Sequence, residues 1–382
     1  MKSLITTVFI LFAFTGFSGA ENQHQQVMDC NCPQDPNIIP IYDIDVNEIM
    51  NESGQYFLFQ NDVKLENWFF LINESNDITL DLNGYEITGF QPFPAIQINH
   101  SNNITIKNGR INNAGIGLVV QSDSNNIHIE NLTIENCFQE GINISSICND
   151  IYLNNITCKN NEIGIKITRS NNYFLENITV TGNRDDGIIF GACDYLYINH
   201  IEARENASDN IDFSACSWVY IDDANSSYAG DNGMDLSAVF YGIVSNSSFT
   251  GSQGMDLKVE NGSKHIFVRN CKYNKEQAED ISRVSTLNLT ITNSDGNPIP
   301  DAEVWIESIQ DVNNPVLKYL LRADYKGDVS TDVTQYTRRG GLTHFNPFDI
   351  DITHPDYASI YFVWDDPNYF PLKETIVLEP KQ

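Results

Sequence analysis

The chain has 382 residues, enough for two domains, and 51 acidic against 22 basic residues give it a formal net charge of −29. This charge argues against nucleic acid as a partner, because neutralising phosphates requires clustered Lys and Arg. Such an acidic chain is typical of a protein that works in a cation-rich environment outside the cell or of a protein that binds Ca²⁺. A role in solubility alone explains it as well.

The first 20 residues, MKSLITTVFILFAFTGFSGA, predict a secretory signal peptide. A Lys near the start precedes an apolar run, and Ser18-Gly19-Ala20 forms a small-residue cleavage site. The run is too short for a membrane-spanning helix, and no later segment is apolar enough to span. We therefore expect a protein that does not span the membrane and is secreted, held at the cell surface or located in the periplasm.

Residues 21–75 are predicted to form an N-terminal extension and a cap for the repeat region that follows. Strands are expected at Gly54–Leu58 and Trp68–Ile72. Residues 78–85 then combine a strand with an Asn-Gly turn and a second strand.

From Asn102 to Lys272 the chain repeats itself every 21 to 24 residues. One unit reads NNIHIENLTIENCFQEGINISSIC and the next reads NDIYLNNITCKNNEIGIKITRS. Each unit contains a short alternating strand, an Asn-centred bend, a second short strand and a third strand that begins with Gly. A period of this size without helical pattern indicates a solenoid, and the absence of Leu-rich units favours a parallel β-helix. We predict this β-helix over residues 76–274.

One repeat position is occupied almost entirely by asparagine. Its members are Asn108, Asn131, Asn155, Asn177, Asn246 and Asn270, with His200 and Asp223 in the same column. Stacked coils lie ~4.8 Å apart, so we expect these amides to form an internal hydrogen-bonded ladder. N-glycosylation is the alternative, since Ser or Thr follows several of them at the required spacing.

The eight cysteines form no metal-binding motif. Cys193 and Cys216 fall at the same position of successive units, where they either stack as small apolar groups or form a disulfide, and packing is the favoured interpretation. The Cys30 and Cys32 pair lies near the N-terminus.

The pattern changes after Asn274. Residues 275–285 are predicted to be a linker, and residues 286–382 a β-sandwich, because short alternating segments are separated by turn residues such as Asp295-Gly296-Asn297-Pro298. Strands are expected at Leu287–Ile291, Ala302–Ile306, Leu317–Ala323, Phe348–Ile352, Ile360–Trp364 and Thr375–Leu378. The fold class is therefore all-β: a right-handed parallel β-helix followed by a C-terminal β-sandwich.

Acidic residues gather on one outward face of the later coils. The third strands are predicted to start at Gly117, Gly141, Gly164, Gly187, Asn210, Gly233 and Gly254. Around these positions lie Asp185, Asp186, Asp209, Asp212, Asp231, Asp235 and Asp256. Carboxylates this close repel one another and favour a bound cation, for which Ca²⁺ is the best match. A solvated acidic stripe is the alternative.

The repeat resembles the right-handed parallel β-helix proteins of the pectate-lyase-like superfamily over residues 54–280. Asp209, followed one coil later by Asp231-Asn232-Gly233-Met234-Asp235, resembles the Ca²⁺ site of family 9 polysaccharide lyases, with Asn232 at a position where that family has Asp. The resemblance implies that Asp209, Asp231 and Asp235 hold the metal with support from Asn232, Asp212 and Asp186.

That family also uses an outward Lys, two residues after the Gly of a later coil, as its Brønsted base. Counting from Gly254 places Asp256, and not a lysine, at this position. Lys258 lies two residues further on and is the best placed lysine, so we expect it to be the base. In the C-terminal region, the segment DGNPIPDAEV resembles the start of carboxypeptidase-regulatory-like and Ig-like domains, which are spacers or binding modules.

Together these features predict a Ca²⁺-dependent lyase that cleaves an acidic polysaccharide by β-elimination. One alternative is a glycoside hydrolase that uses paired Asp residues. The other is a non-catalytic surface or adhesion protein that binds a cell-surface glycan through the aromatic side chains of Tyr195, Tyr197, Trp218 and Tyr220.

Overall fold

The protein is described by a computed structural model that covers residues 38–42, 53–66, 69–309, 316–365 and 371–381. Over these residues the secondary structure is entirely β, without a helix. The chain divides into two units, Met1–Ser170 and Asn171–Gln382. The predicted signal peptide, Trp68, Cys30 and Cys32 lie outside the described residues.

Within its described residues, the first unit contains thirteen strands: β1 (Ile38–Ile41), β2 (Tyr56–Phe59), β3 (Val63–Lys64), β4 (Phe70–Asn73), β5 (Asn76–Asp81), β6 (Glu86–Thr88), β7 (Pro94–Asn99), β8 (Asn102–Asn112), β9 (Ile116–Gln121), β10 (Asn125–Glu135), β11 (Glu140–Ile144), β12 (Asn149–Lys159) and β13 (Ile163–Thr168). The short strands β4, β7, β9, β11 and β13 pair in parallel in that order. The strands β2, β5, β8, β10 and β12 form a second parallel series. Each coil thus contributes a strand to both sheets, which is the architecture of a β-solenoid.

The interior of this unit is built from apolar residues that repeat at the same position of each coil. Ile104, Ile127 and Ile151 pair with one another from strand to strand and are fully buried. Burying one such side chain contributes about 1.5–3 kcal/mol. The alternation of buried and exposed residues in β10 and β12 therefore fixes which face of each strand points inward.

The asparagine ladder is present, but it lies on the outside of the coil. Asn131 Nδ2 donates to Asn108 Oδ1 at 3.0 Å, and Asn155 Nδ2 donates to Asn131 Oδ1 at 2.9 Å. All three residues have left-handed backbones, with φ of 60°, 53° and 53°. Asparagine adopts this conformation more readily than other side chains. The predicted ladder is therefore confirmed in its pairing, and its predicted internal location is wrong.

A buried ladder of a different set of asparagines exists in the second unit. Asn183 Nδ2 donates to Asn206 Oδ1 at 2.8 Å, and Asn206 Nδ2 donates to Asn210 Oδ1 at 2.7 Å. These three residues are almost completely buried. Their amides satisfy one another and nearby backbone groups, as buried polar groups must.

We expect Asn131→Ala to lower the free energy of unfolding by about 1–2 kcal/mol, because alanine tolerates the left-handed backbone poorly and breaks two side-chain hydrogen bonds. Asn131→Gly keeps the conformation without strain and loses only the hydrogen bonds, so its melting temperature should lie between those of the wild type and the alanine variant. Thermal unfolding followed by circular dichroism measures both. Equal losses in the two variants would contradict a conformational role for Asn131.

The part of the second unit that the structure describes contains nineteen strands: β14 (Asn171–Thr181), β15 (Ile188–Gly191), β16 (Asp194–Arg204), β17 (Ile211–Ser214), β18 (Ser217–Ser227), β19 (Met234–Ser237), β20 (Phe240–Ser245), β21 (Ser248–Thr250), β22 (Leu257–Glu260), β23 (Lys264–Arg269), β24 (Glu276–Ala278), β25 (Asp280–Asn293), β26 (Glu303–Ser308), β27 (Lys318–Arg322), β28 (Asp328–Arg339), β29 (Leu342–His344), β30 (Phe348–His354), β31 (Tyr357–Trp364) and β32 (Leu372–Leu378). The series β14, β16, β18, β20, β23 and β25 forms one parallel sheet of coils, which we call the long-strand sheet. The series β15, β17, β19, β22 and β24 forms the other, the short-strand sheet.

The C-terminal strands form two sheets around one apolar core. Strands β28 and β32 flank β25, and β29 pairs with β28, while β27, β26, β30 and β31 form a separate antiparallel sheet. Leu289, Val304 and Ile350 belong to the buried cluster that these sheets share. The predicted strands are all found, and β28, which is rich in Thr and Asp, was missed because its outward residues hide the alternation of Val329 and Val333.

Two predicted segments differ from the structure. The expected linker, residues 275–285, contains β24 and the start of β25, a 14-residue strand that pairs with the coil strand β23 and continues into the C-terminal sheets. In the expected cap, β2 and β4 already pair in parallel with later coil strands, so the coil architecture begins before residue 76.

The six described cysteines are buried, in agreement with the favoured interpretation that they pack in the core as small apolar groups. No helix in the described ranges is long and apolar enough to cross a membrane.

Candidate metal centre and its lysine

Three of the predicted acidic residues meet on the outer face of the short-strand sheet. Asp212 of β17 pairs directly with Asp235 of β19, so their side chains lie one above the other. Asp209, in the bend before β17, completes the group, and one carboxylate oxygen from each residue lies within 4.8 Å of the other two. We call Asp209, Asp212 and Asp235 the acidic triad.

The bend that presents the triad is fixed by buried amides. Asn210 Nδ2 donates to Ser226 Oγ at 2.9 Å and to Ala203 O at 3.1 Å, while its oxygen accepts from Asn206. In the next coil Gly233 holds the equivalent position, where a Cβ atom would lie 2.5 Å from the carbonyl oxygen of Asp256. A side chain there would push this coil away from the next one and so move Asp235 relative to Lys258.

Burial disfavours the charged form of all three triad carboxyls, and repulsion from nearby carboxylates adds to this effect. Burial raises the pKa of Asp212 to about 7, with further contributions from the charges of Asp235 and Asp209. Burial also raises the pKa of Asp209 to about 6 against the opposing hydrogen bonds from Asn232, and it raises the pKa of Asp235. A cluster that ionises this reluctantly is stabilised by a cation.

Asp235 carries the clearest sign of a missing partner. The residue is 6% exposed, and its Oδ1 atom is buried without accepting any hydrogen bond. Its other oxygen, Oδ2, accepts a hydrogen bond from Lys258 Nζ at 2.9 Å. An unsatisfied buried carboxylate oxygen costs about 1–3 kcal/mol or more, so this atom favours a ligand.

Lys258 lies in the same column as Asp212 and Asp235, one coil after Asp235. The backbone of β22 pairs Lys258 with Asp235 and Leu257 with Met234, so the predicted placement of Asp256 at this outward position is wrong. Asp256 takes the glycine position of its coil, where its buried carboxylate accepts hydrogen bonds from the backbone amides of Asn274 and Lys275 at 3.0 and 3.1 Å. It therefore holds a loop and does not join the acidic face.

Glu260 is a participant that the sequence did not reveal. Its carboxylate lies 2.7 Å from Lys258 Nζ, so the ammonium group is held between Asp235 and Glu260. Burial lowers the pKa of Lys258, but its hydrogen bonds to Glu260 and Asp235 outweigh this and raise it above the ordinary value. Counting 23 residues from Asp235, the dominant repeat length, finds Lys258 and makes Glu260 the next outward residue.

The remaining predicted ligands stand around the triad. Asn232 donates to Asp209 Oδ1 at 2.9 Å and accepts from the Met255 amide at 2.9 Å, so its side chain braces Asp209. Asp186 Oδ1 accepts a hydrogen bond from the backbone amide of Asp209 at 2.8 Å. Asp231 is exposed and lies outside the triad. Asn232 and Asp186 thus position the candidate ligand Asp209.

The chemistry of the triad suits Ca²⁺. Calcium is bound by oxygen atoms at 2.3–2.6 Å, so two oxygens on one ion are separated by at most about 5 Å. The triad oxygens meet this condition, and three carboxylates leave coordination positions for a substrate or water. Nitrogen and sulfur ligands are absent from the triad, which disfavours zinc.

Residues 94–238 match a family model described as a right handed beta helix region. No curated protein sequence matches the chain. Among solved structures, pectate lyase Pel9A aligns with a TM-score of 0.43 at 9% identity, covering 60% of this chain and 70% of that one. The A-module of mannuronan C-5 epimerase AlgE6 from Azotobacter vinelandii aligns with a TM-score of 0.40 at 12% identity, covering 61% and 78%.

PfbA, a surface adhesin of Streptococcus pneumoniae, aligns with a TM-score of 0.41 at 11% identity, covering 88% of this chain and 82% of that one. The matched segment of this chain is a right-handed β-helix. The similar structures thus include a pectate lyase, a mannuronan C-5 epimerase and a surface adhesin. With TM-scores below 0.5, they do not indicate which activity this chain has.

We expect the metal-free protein to lose stability as pH rises from about 4 to about 7. The pKa of Asp212 in the folded state, about 7, lies above its ordinary value of 3.8, so the folded state binds a proton that the unfolded state releases. At pH 8 with a chelator, Asp212→Asn should raise the melting temperature by a few degrees, and at pH 4 it should have no effect. Calorimetry at both pH values measures this. Asp295→Asn, on an exposed turn, is the control.

Proposed function

We propose that the acidic triad and Lys258 form a Ca²⁺-dependent lyase site that cleaves an acidic polysaccharide by β-elimination. The observation that carries the proposal is the buried, unsatisfied Oδ1 atom of Asp235 within a group of three carboxylates, beside a lysine in the same column. Asp209, Asp212 and Asp235 would hold the cation. When bound, Ca²⁺ would neutralise a substrate carboxylate and acidify the C–H group on the adjacent carbon.

Lys258 is the proposed base. It accepts the proton from the carbon next to the uronate carboxylate, the released electron pair forms a carbon–carbon double bond, and the bond to the leaving glycosidic oxygen breaks. The leaving oxygen takes up a proton and becomes a new chain end, while the other product carries an unsaturated uronate. Ionic contacts with Asp235 and Glu260 keep Lys258 protonated in the free protein, so its function as a base requires that these contacts weaken.

Hydrolysis fits the geometry less well than elimination. Retaining and inverting glycosidases need carboxyl groups about 5–5.5 Å or about 6.5–9.5 Å apart. One oxygen of each triad carboxylate lies within 4.8 Å of the other two, so the three groups converge on one point, as a shared cation requires. A non-catalytic role as a surface or glycan-binding protein is the outcome that an inactive protein would support.

We also propose that the protein acts outside the cytoplasm, which the leader-like first 20 residues support. We infer that residues 286–382 form a β-sandwich of the carboxypeptidase-regulatory-like or Ig-like type, a spacer or binding module. The shared apolar core between two sheets supports this inference, as does the tight attachment of β25 to the last coil, where the buried Arg283 donates to Cys271 O at 2.6 Å.

Purified protein should release unsaturated uronate ends, followed by ultraviolet absorbance, from at least one polymer of a panel of pectate, alginate and glucuronan, and a chelator should abolish the reaction. Lys258→Ala and Asp235→Ala should each lower turnover at least a hundredfold, because they remove the base and the central ligand. Lys166→Ala is the matched control: this outward lysine occupies the same repeat position and pairs with Glu140, far from the triad in sequence. Absorbance that stays flat on every polymer would overturn the lyase.

We expect the lyase rate to rise with pH through the neutral and alkaline range, because Lys258 is protonated at neutral pH and must lose its proton to act as a base. Glu260→Gln removes one stabilising charge and should move the rising limb of the pH–rate profile to lower pH. A profile of kcat at saturating Ca²⁺ tests this. A limb that shifts upward in the variant, or stays in place, would exclude the proposed coupling of Glu260 to the base.

A further inference from the structure

The long-strand sheet of the second unit presents three outward columns of side chains. Strands β14, β16, β18, β20 and β23 are paired in register, so equivalent residues stack from coil to coil. The first column contains Tyr195, Trp218, Tyr241 and His265; the second contains Phe174, Tyr197, Tyr220, Ile243 and Phe267; the third contains Glu176, Asn199, Asp222, Ser245 and Arg269. We call the first two columns the aromatic face. It lies on a different sheet from the acidic triad.

The first column carries aromatic residues although its left-handed backbone conformation disfavours bulky side chains. Tyr195, Trp218, Tyr241 and His265 all have left-handed conformations, with φ of 60°, 58°, 62° and 60°. In the first unit the equivalent column is Asn103, Asn126 and Asp150, residues that tolerate this conformation, and Asn126 Nδ2 donates to Asn103 Oδ1 at 3.0 Å. Bulky side chains are rare at positive φ. Strain that recurs at four successive coils indicates a role beyond folding.

The aromatic side chains remain accessible. Tyr195, Trp218 and Tyr241 are 46%, 38% and 45% exposed. Adjacent rings in the second column, Phe174 to Tyr197 and Tyr197 to Tyr220, are nearly parallel with centroids 5.2 Å apart. Since parallel rings touch at about 3.5–4 Å, each ring is displaced sideways by roughly the same amount and leaves part of its face uncovered. Exposed aromatic patches of this extent are typical of binding surfaces.

A groove runs along the coils between the second and third columns. Its volume is about 570 Å³, and its walls include Phe174, Tyr197 and Tyr220 on one side and Glu176, Asn199 and Asp222 on the other. From Glu176 to Arg269 it crosses five coils, roughly 20 Å at the usual strand spacing. The groove is therefore open along the coils and offers the same chemistry at each step, which suits a linear polymer of repeating units.

The charges on the polar wall of the groove indicate which polymers can bind there. Glu176 and Asp222 are exposed carboxylates, and the guanidinium of Arg269 is paired with Asp332 at 3.2 Å. The wall therefore repels polyanions. Carboxylates accept hydrogen bonds from hydroxyl groups, and amides both accept and donate them, while rings cover the apolar faces of sugars.

We propose that the aromatic face and its groove bind a linear, uncharged polysaccharide that lies along the coils. This is a second glycan site, separate from the acidic triad and independent of Ca²⁺. The triad selects a uronate through a cation, whereas the aromatic face selects hydroxyl groups and apolar sugar faces without one.

The test uses Tyr195→Asn, Trp218→Asn and Tyr241→Asn, singly and combined in the full-length protein. Asparagine is the residue that the first unit uses in this column, so these substitutions relieve backbone strain and circular dichroism should show an unchanged fold. Tyr325→Asn, at an exposed aromatic residue in the turn between β27 and β28, is the control. The highly anionic chain migrates readily in native gels, so retardation by hydroxyethylcellulose, galactomannan or polygalacturonate in the gel measures affinity.

We expect at least one of the two neutral polymers to retard the wild type equally with and without chelator, and polygalacturonate to have no effect in chelator. The combined variant should bind at least tenfold more weakly, and Asp235→Ala and Tyr325→Asn should bind like the wild type. Retardation by neither neutral polymer, or equal retardation of the combined variant, would overturn the proposal. A wild-type dimer in light scattering that the combined variant lacks would also overturn it, since the face would then bind a second copy. Loss of lyase activity alone leaves this binding intact, so the two proposals fail separately.

Discussion

In-register pairing of successive coils is the constraint on which the rest of this structure depends. Each coil satisfies its backbone hydrogen bonds with the coils on either side, at the ~4.8 Å spacing of paired strands. Equivalent residues are therefore forced into columns. Isoleucines such as Ile127 and Ile151 stack inside, and asparagines such as Asn131 and Asn155 stack outside. The columns make the fold stable, and they also determine which functional groups can meet.

The same constraint concentrates charge. Placing aspartate at one outward position in two successive coils brings Asp212 directly over Asp235, although like charges at this distance destabilise a fold. The next residue in the column is Lys258, which neutralises part of the charge. The arrangement sacrifices stability in the free protein for a site that a divalent cation would complete, a compromise typical of functional sites.

The corners of the coils show a related compromise. In the first unit, left-handed corner positions such as Asn103 and Asn126 carry asparagine, which this backbone conformation favours. In the second unit, the equivalent positions at Trp218 and Tyr241 carry exposed aromatic residues. A repeat protein offers an internal reference for such cases, because one position can be compared between its own coils. Departures from the residue that the backbone prefers then identify the surfaces that serve another purpose.

The sequence by itself determined the all-β class, the coil period, most strands and the gathering of Asp209, Asp212 and Asp235, because a strict repeat converts spacing along the chain into columns in space. It did not determine the column of Lys258, the buried role of Asp256 or the partner Glu260. A glycine count gave 21 residues for the last coil, whereas backbone pairing gives 23, since Asp256 replaces glycine at the bend and is satisfied by amides of the following loop. Likewise, which asparagines are buried depended on where the backbone bends, and only the tertiary structure decided this, because exposed and buried asparagines both repeat with the coil period and form the same amide-to-amide hydrogen bonds.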